Sequence, residues 1–187
     1  MKVLVINSGS SSLKFTLFDM SDKSVLCKGL VERIGMEGTK LTYQANGQKV
    51  EEPLNISQHS EALPPICAKM TDPEVGVIKA LGEIEAIGHR VLHGGMEFTK
   101  PILVDDKVKA GIRKCFVLGP LHNPANLSGI EACESGFKGV PNVAVFDTSF
   151  HMTMEPSAYL YAIPQEYHKK YGIRKYGFHG TSHKYVA

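Results

Sequence analysis

The sequence lacks several features, and each absence excludes a class of protein. It has no tryptophan, no CxxC motif among its four cysteines and no apolar run long enough to cross a bilayer. Zinc ribbons and thioredoxin-type redox sites are therefore excluded. Only Lys2 precedes the first apolar run, which is too short for a signal peptide, so a cytoplasmic location is expected. Disulfides are not needed in such a chain, and buried thiols are expected for most of the cysteines.

Charge of one sign is also scarce. The formal net charge is +2, and no basic run exceeds the isolated pair Lys169-Lys170, so neither nucleic acid nor an acidic membrane surface is an expected partner. Hydrophobic residues make up 43% and charged residues 21%, which is typical of a globular protein. The 187 residues suffice for one core, or for one domain and the start of another.

The first twenty residues, MKVLVINSGSSSLKFTLFDM, predict a strand, a tight turn and a second strand. The small-residue loop leads into a strand rather than a helix, and the Walker A pattern is absent. Gly9 lets a ligand approach the backbone, Ser10 and Ser12 offer hydroxyls, and Lys14 offers a positive charge on the same face as Ser12. We interpret the loop as a phosphate-binding hairpin; the alternative is an ordinary Gly-Ser turn.

The rest of the chain changes from strands to alternating helices and strands. Strands are predicted at 24–33, 40–45, 48–52, 85–92 and 140–146, with Asn46-Gly47 as a hairpin turn. Helices are predicted at 107–116 with Asp105 as a possible cap, at 125–135, and at 164–171, which ends at Gly172 and is followed by a glycine-rich turn over 177–183. Two short helices are predicted within 56–83, where Pro64-Pro65 interrupts the helical pattern and the second helix opens at Asp72-Pro73. This order predicts an α/β fold, with a mixed β-sheet and flanking helices. Residues 1–150 are expected to form one domain, and the tyrosine-rich residues 151–187 the start of a second.

Two charged residues lie in or next to predicted strands. Arg90 lies among apolar neighbours, so burial would require an anion partner, either a carboxylate of this chain or a bound ligand. Asp147 stands where a strand ends, the position at which α/β sheets bind ligands. It is either a turn or cap residue, or a metal-binding or proton-accepting carboxylate.

Histidines and serines raise two further possibilities. His89/His93 and His179/His183 have metal-ligand spacing, but the first pair flanks a strand and the second lacks the glutamate of HExxH, which disfavours zinc. His179 alone, beside glycines, fits a hydrogen-bond donor to a ligand. A Ser-His-Asp hydrolase is disfavoured because no GxSxG elbow is present.

Five motifs in chain order resemble the acetate kinase family. They are NSGSSSLKF at 7–15, GHRVLHGG at 88–95, PLHNPANL at 120–127, VFDTSFH at 145–151 and YGIRKYGFHGTSHKYV at 171–186. The resemblance implies the ribonuclease H-like fold of the sugar kinase/Hsp70/actin superfamily, N-terminal half only. Residues 1–150 would be the N-terminal kinase domain, and 151–187 the truncated start of the nucleotide-binding domain.

The resemblance also implies roles for individual residues. Asn7 would lie at the metal; Ser10, Ser12 and Lys14 would meet the nucleotide phosphates; Arg90 would hold the acetate carboxylate; Asp147 and His179 would be catalytic; and Leu92, Leu121 and Phe178 would form the methyl pocket. ATP is the implied co-substrate, acetyl phosphate the product and Mg²⁺ the cofactor. Acetate is already ionised, so Asp147 need not act as a base and a metal-organising role is favoured.

The chain departs from the family pattern at one residue and in its length. Leu92 stands where a smaller valine is common, which should favour acetate over propionate. Family members are also much longer, so the chain is expected to be an N-terminal portion that is inactive alone, from a protein that forms a homodimer. A propionate or butyrate kinase, a pyrophosphate-using enzyme and a non-catalytic phosphate-binding fragment are the alternatives.

Overall fold

The computed structural model describes residues 1–187, which form one mixed sheet of eight strands with flanking helices. The strands are β1 (Lys2–Ser8), β2 (Ser12–Asp19), β3 (Ser24–Glu32), β4 (Lys40–Ala45), β5 (Gln48–Pro53), β6 (Ile84–Val91), β7 (Ile102–Leu103) and β8 (Asn142–Phe146). The helices are α1 (Leu63–Met70), α2 (Asp106–Lys114), α3 (Asn123–Gly136), α4 (Pro156–Tyr159), α5 (Gln165–Tyr171) and α6 (Gly180–Val186).

The sheet has the order β5-β4-β3-β2-β1-β6-β8-β7. β1 to β5 pair antiparallel through successive hairpins, and β6 and β8 then continue the sheet parallel to β1. The Asn46-Gly47 turn has the positive φ angles of 51° and 75° that join two strands tightly. The predicted α/β class, with a mixed sheet and helices beside it, is confirmed.

Strand periodicity sends alternate residues to opposite faces of the sheet. Leu4 and Ile6 of β1 are buried in the core, where α1 and α3 pack. Val5 and Asn7 point to the other face, and Val5 is 37% exposed. Alternation therefore decides which polar residues at the strand ends can meet a ligand.

The segment between β5 and β6 differs from the prediction. Pro64-Pro65 form the first turn of α1 instead of interrupting a helix, because proline needs no hydrogen bond there. Asp72 does not open a second helix: its Oδ1 accepts from the backbone N–H of Glu74 and Val75 at 2.8 and 3.1 Å, which closes a turn. In place of the second predicted helix, the chain forms a 3₁₀ turn, Leu81–Glu83, directly before β6.

The later elements follow the prediction more closely. Asp105 caps α2 by accepting from the Val108 N–H at 2.8 Å, and Gly172 ends α5 at a φ of 67°. The short strand β7 was not predicted, and α6 begins inside the predicted glycine-rich turn. All four cysteines are free, and all but the half-buried Cys67 are buried. No helix is both long and apolar enough to span a membrane.

Candidate functional site

Three strand ends meet at one edge of the sheet and carry polar side chains. β1, β6 and β8 run parallel, so their carboxyl ends lie side by side. Asn7 lies near the end of β1, Arg90 near the end of β6, and Asp147 directly follows β8. Ligands of α/β sheets bind beyond this edge. The topology therefore brings three of the predicted site residues together.

Arg90 and Asp147 form a bidentate ion pair. The Arg90 Nε donates to both carboxylate oxygens, at 3.0 and 3.1 Å, and its Nη2 donates to Oδ2 at 2.6 Å. The Asp147 side chain is 1% exposed, whereas that of Arg90 is 35% exposed. The anion partner expected for Arg90 thus lies within the chain. Guanidinium carries more N–H donors than this pair uses, so Arg90 keeps donors for a second anion on its solvent side.

Asn7 links the ion pair to the opening hairpin. The Arg90 Nη1 donates to Asn7 Oδ1 at 3.2 Å. Asn7 faces Lys14 across the β1–β2 ladder, and directly opposed residues point to the same side of a sheet. Lys14 is exposed. The hairpin therefore carries a second cation on the same face of the sheet as Arg90, with the strand of Asn7 between the two.

The turn of the hairpin is held from both sides. The Gly9 N–H donates to the Ser12 carbonyl at 2.7 Å, and the His59 Nε2–H donates to the Gly9 carbonyl at 2.6 Å. Ser10 is exposed and Ser12 half-buried. His59 reaches the turn from the segment before α1 and was not among the predicted site residues. The serines are accessible, and the turn backbone is fixed beneath them.

His179 reaches the site from α6. It precedes the helix with φ 54° and ψ 29°, a left-handed conformation that is uncommon outside glycine. The next N–H, of Gly180, donates to the Asp147 carbonyl at 2.9 Å. The His179 Nδ1 lies 3.9 Å from Asp147 Oδ2, and the side chain is 72% exposed. Residues held in rare backbone conformations concentrate at functional sites, and this one is open to a ligand.

The three apolar residues of the predicted methyl pocket come from different segments. Leu92 directly follows β6 and is half-buried, while Leu121 is 71% and Phe178 39% exposed. The Phe178 ring centroid lies 5.8 Å from that of His93, next to Leu92 in the chain. Leu92 and Phe178 therefore border the same turn, whereas Leu121 is exposed on a separate loop.

His93 joins that turn to the segment that carries His179. Its Nδ1 accepts from the Gly95 N–H at 2.9 Å, and its ring packs edge-on against Tyr176 with centroids 4.5 Å apart. Burial lowers its pKa, which favours the neutral ring. His89 points into the core instead, where its Nε2–H donates to Asn142 Oδ1 at 2.7 Å and burial lowers its pKa to about 4. The two histidines therefore have separate structural partners.

Two buried asparagines of α3 were missed by the sequence analysis. Asn123 exchanges two hydrogen bonds with the backbone of His93, at 3.1 and 2.9 Å. Asn126 accepts from the Leu92 N–H at 2.9 Å and donates to the Ser8 carbonyl at 2.6 Å. Asparagine is a poor helix former, so two of them in the first turns of a predicted helix are a usable signal for such contacts.

The site offers oxygen ligands for a hard cation. The structure contains no group of three or more His, Cys, Asp and Glu side chains that could hold a metal. Mg²⁺ can bind with fewer protein ligands than that, because one or two carboxylates, the phosphates of its substrate and several waters complete its coordination. Asp147 retains lone pairs beyond those facing Arg90, and the Asn7 amide oxygen lies beside the pair. These oxygens are of the kind that Mg²⁺ binds, but all of them accept from Arg90 and the Asp147 side chain is 1% exposed, so a metal would share them with the guanidinium group.

Comparison with known proteins gives a consistent result. The model of the acetokinase family matches residues 2–187. An acetate kinase of Finegoldia magna is 60% identical over 189 residues, which cover 100% of this chain and 48% of that protein. The chain thus spans about half the length of the curated relatives it matches.

Two solved structures share the fold closely. The crystal structure of Porphyromonas gingivalis acetate kinase superposes with a TM-score of 0.93 at 44% identity, over 99% of this chain and 47% of that one. A propionate kinase from Francisella tularensis superposes with a TM-score of 0.91 at 42% identity, again over 99% and 47%.

Proposed function

The chain belongs to the acetokinase family, and from this we propose that the protein transfers a phosphoryl group from ATP to acetate. The products are ADP and acetyl phosphate, formed by direct in-line displacement. One observation carries the proposal: Arg90 is fixed by Asp147 and Asn7 with donors to spare. Phosphoryl transfer to a carboxylate requires two anions to meet, so oriented cations and donors are the main catalytic requirement.

Arg90 holds the acetate carboxylate in this mechanism. Asp147 binds the edge of the guanidinium group formed by Nε and Nη2, so the plane of that group is fixed before the substrate arrives. A fixed planar fork binds a carboxylate with less loss of side-chain entropy than a mobile one. Acetate is ionised at neutral pH, so no residue needs to remove a proton from it.

The hairpin and His179 act on the phosphoryl group. Ser10, Ser12 and Lys14 bind the nucleotide phosphates, and the exposed His179 ring donates to the transferring group. Asn7 and Asp147 would hold Mg²⁺, which when bound neutralises charge on the phosphate oxygens. Because Asp147 contacts Arg90 and approaches His179, it also orients the arginine that binds acetate and the histidine that contacts the phosphoryl group.

Leu92, Leu121 and Phe178 form the acyl pocket. A leucine at position 92 shortens this pocket, so kcat/KM should be higher for acetate than for propionate by about 10- to 200-fold, or about 1–3 kcal/mol per methylene. The similarity to a propionate kinase makes propionate the second candidate substrate. A substrate panel of acetate, propionate and butyrate decides between them, and equal kcat/KM values would contradict the proposed pocket.

The carboxylate clamp is tested by Arg90→Lys in the protein at its natural length. Lysine keeps the charge but loses the planar fork, so the KM for acetate should rise about 10- to 100-fold, equivalent to about 1.5–3 kcal/mol for a charged hydrogen bond. The KM for ATP should stay unchanged. Arg113→Lys is the matched control, since Arg113 pairs with Glu131 on the surface away from the site. An unchanged acetate KM in Arg90→Lys refutes the clamp.

Asp147→Asn tests the role of the buried carboxylate. It keeps the side-chain shape but removes the charge that orients Arg90, and we expect a large fall in kcat and a higher requirement for Mg²⁺. Near-normal turnover with unchanged Mg²⁺ dependence would contradict a metal-organising role.

The 187 residues assayed alone should show no turnover, because they supply about half the length of the related enzymes. Acetyl phosphate formation by them would contradict this expectation. The homodimer, the cytoplasmic location and the domain division at residue 150 stay predictions.

A further inference from the structure

Asn126 occupies an unusual position between the candidate site and the core. It lies on α3 and is 5% exposed. Its side-chain amide contacts two different strands: Oδ1 accepts from the Leu92 N–H at 2.9 Å, and Nδ2 donates to the Ser8 carbonyl at 2.6 Å. Both contacts lie where β1 and β6 end.

The parallel ladder between β1 and β6 stops just before these contacts. Its last registered pair is Ile6 with His89, so Ser8 and Leu92 lie beyond it. A carboxamide offers the same donor and acceptor as a peptide group. The side chain of Asn126 therefore bonds the Ser8 carbonyl and the Leu92 N–H at once. It joins the two strand ends as an additional backbone pair would, although it belongs to helix α3.

The catalytic consequence appears on the other face of the sheet. Ser8 follows Asn7, and Leu92 lies two residues after Arg90. The side chains of Asn7 and Arg90 meet at 3.2 Å, so the separation of the two strand ends decides whether this contact forms. We propose that Asn126 is a positioning residue that sets the separation of Asn7 and Arg90 and holds Leu92 in place. Its effect on catalysis rests on the proposed function.

Asn142 provides a matched control. It is also a buried asparagine with two hydrogen bonds, to His89 and to the Val140 carbonyl, and is 6% exposed. Its contacts lie at the start of β8 and at the buried His89 ring, which faces the core rather than the face of the sheet that carries Arg90. Loss of either asparagine should destabilise the fold, but only loss of Asn126 should disturb the Asn7–Arg90 contact.

The experiment compares Asn126→Ala, Asn126→Asp and Asn142→Ala in the protein at its natural length. A misplacement of about 1 Å at a site can cost about 100-fold in rate, so we expect a loss of that order in kcat/KM for acetate in Asn126→Ala. Asn126→Asp keeps the acceptor for Leu92 but places a carboxylate oxygen against the Ser8 carbonyl oxygen at a buried position, so it should lose at least as much as Asn126→Ala. Asn142→Ala should stay within about threefold of wild type after correction for the folded fraction.

A readout that does not depend on activity accompanies the kinetics. In ¹⁵N-labelled protein, the resonances of the Asn7 side-chain amide and the Arg90 Nε–H should shift in Asn126→Ala and stay unchanged in Asn142→Ala. Unchanged resonances in Asn126→Ala, or equal kinetic losses in the two alanine variants, would overturn the positioning role. If the wild type forms no acetyl phosphate, the proposed function fails, and the resonances alone then decide whether Asn126 sets the geometry.

Discussion

A methyl group at position 129 should collide with Ser8 beneath the candidate site. Gly129 lies within α3, where the helix crosses β1, and a Cβ built there would lie 2.3 Å from Ser8 Oγ and 3.3 Å from Ser8 Cβ. The Ser8 hydroxyl is buried and has no hydrogen-bond partner. The close approach of α3 to the strand that carries Asn7 therefore depends on glycine at one position and a small side chain at the other.

Opposing effects determine the stability of Gly129→Ala. Alanine gains about 1 kcal/mol over glycine inside a helix, whereas overpacking a filled interior costs about 1–3 kcal/mol. The single variant should therefore be neutral or up to about 2 kcal/mol less stable. Ser8→Ala removes an unsatisfied buried hydroxyl and should be neutral or stabilising. In that background the Oγ clash is gone and only the 3.3 Å contact with the Cβ of residue 8 remains, so Gly129→Ala should be less destabilising than in the wild type.

Denaturant unfolding of the wild type, both single variants and the double variant measures the coupling. We expect a favourable interaction free energy of about 1–2 kcal/mol between the two alanines, in the range seen for residues in contact. Gly82→Ala is the control, because a Cβ there meets nothing within 4 Å, and it should add independently to Ser8→Ala. Additivity of Ser8→Ala and Gly129→Ala within about 0.5 kcal/mol would refute the packing argument.

Two further predictions concern a buried histidine and a helix start. Burial lowers the pKa of His89 to about 4, so the unfolded chain binds more protons between about pH 6.5 and 4, and stability should fall by up to about 3 kcal/mol over that window. Unfolding titrations should show this slope flattened in His89→Gln, and an equal slope would contradict its assignment to His89. Gly180→Ala should place a methyl 2.3 Å from the Asp147 carbonyl oxygen and displace α6. We expect a large fall in kcat and only a small fall in the melting temperature. A normal kcat would show that α6 tolerates the shift.

Local elements were predictable because their signals are local. Alternation in β1 and β2, the Asn46-Gly47 turn and the Asp105 cap each depend on residues within a few positions of one another. The prediction failed at Asp72, where the side chain bonds the next backbone N–H groups in a turn as readily as in a helix cap.

Candidates for the site could also be named from the sequence, because strand ends and small-residue loops are places where ligands bind and because five motifs resemble the acetate kinase family. The relation between these residues could not. Arg90 and Asp147 are 57 positions apart, and the sequence left open whether the anion bound by Arg90 belongs to the chain or to a ligand. Asn126 and Ser8 are 118 positions apart, and nothing local indicates their contact.

The opening hairpin and the α/β class thus follow from the sequence alone, since both arise from periodicity and turn chemistry. Only the tertiary structure decides that Arg90 faces Asp147 on one side and Asn7 on the other. The physical reason is the strand order: β1 and β8 flank β6 in the sheet, and three strand ends from distant parts of the chain become neighbours through that order alone.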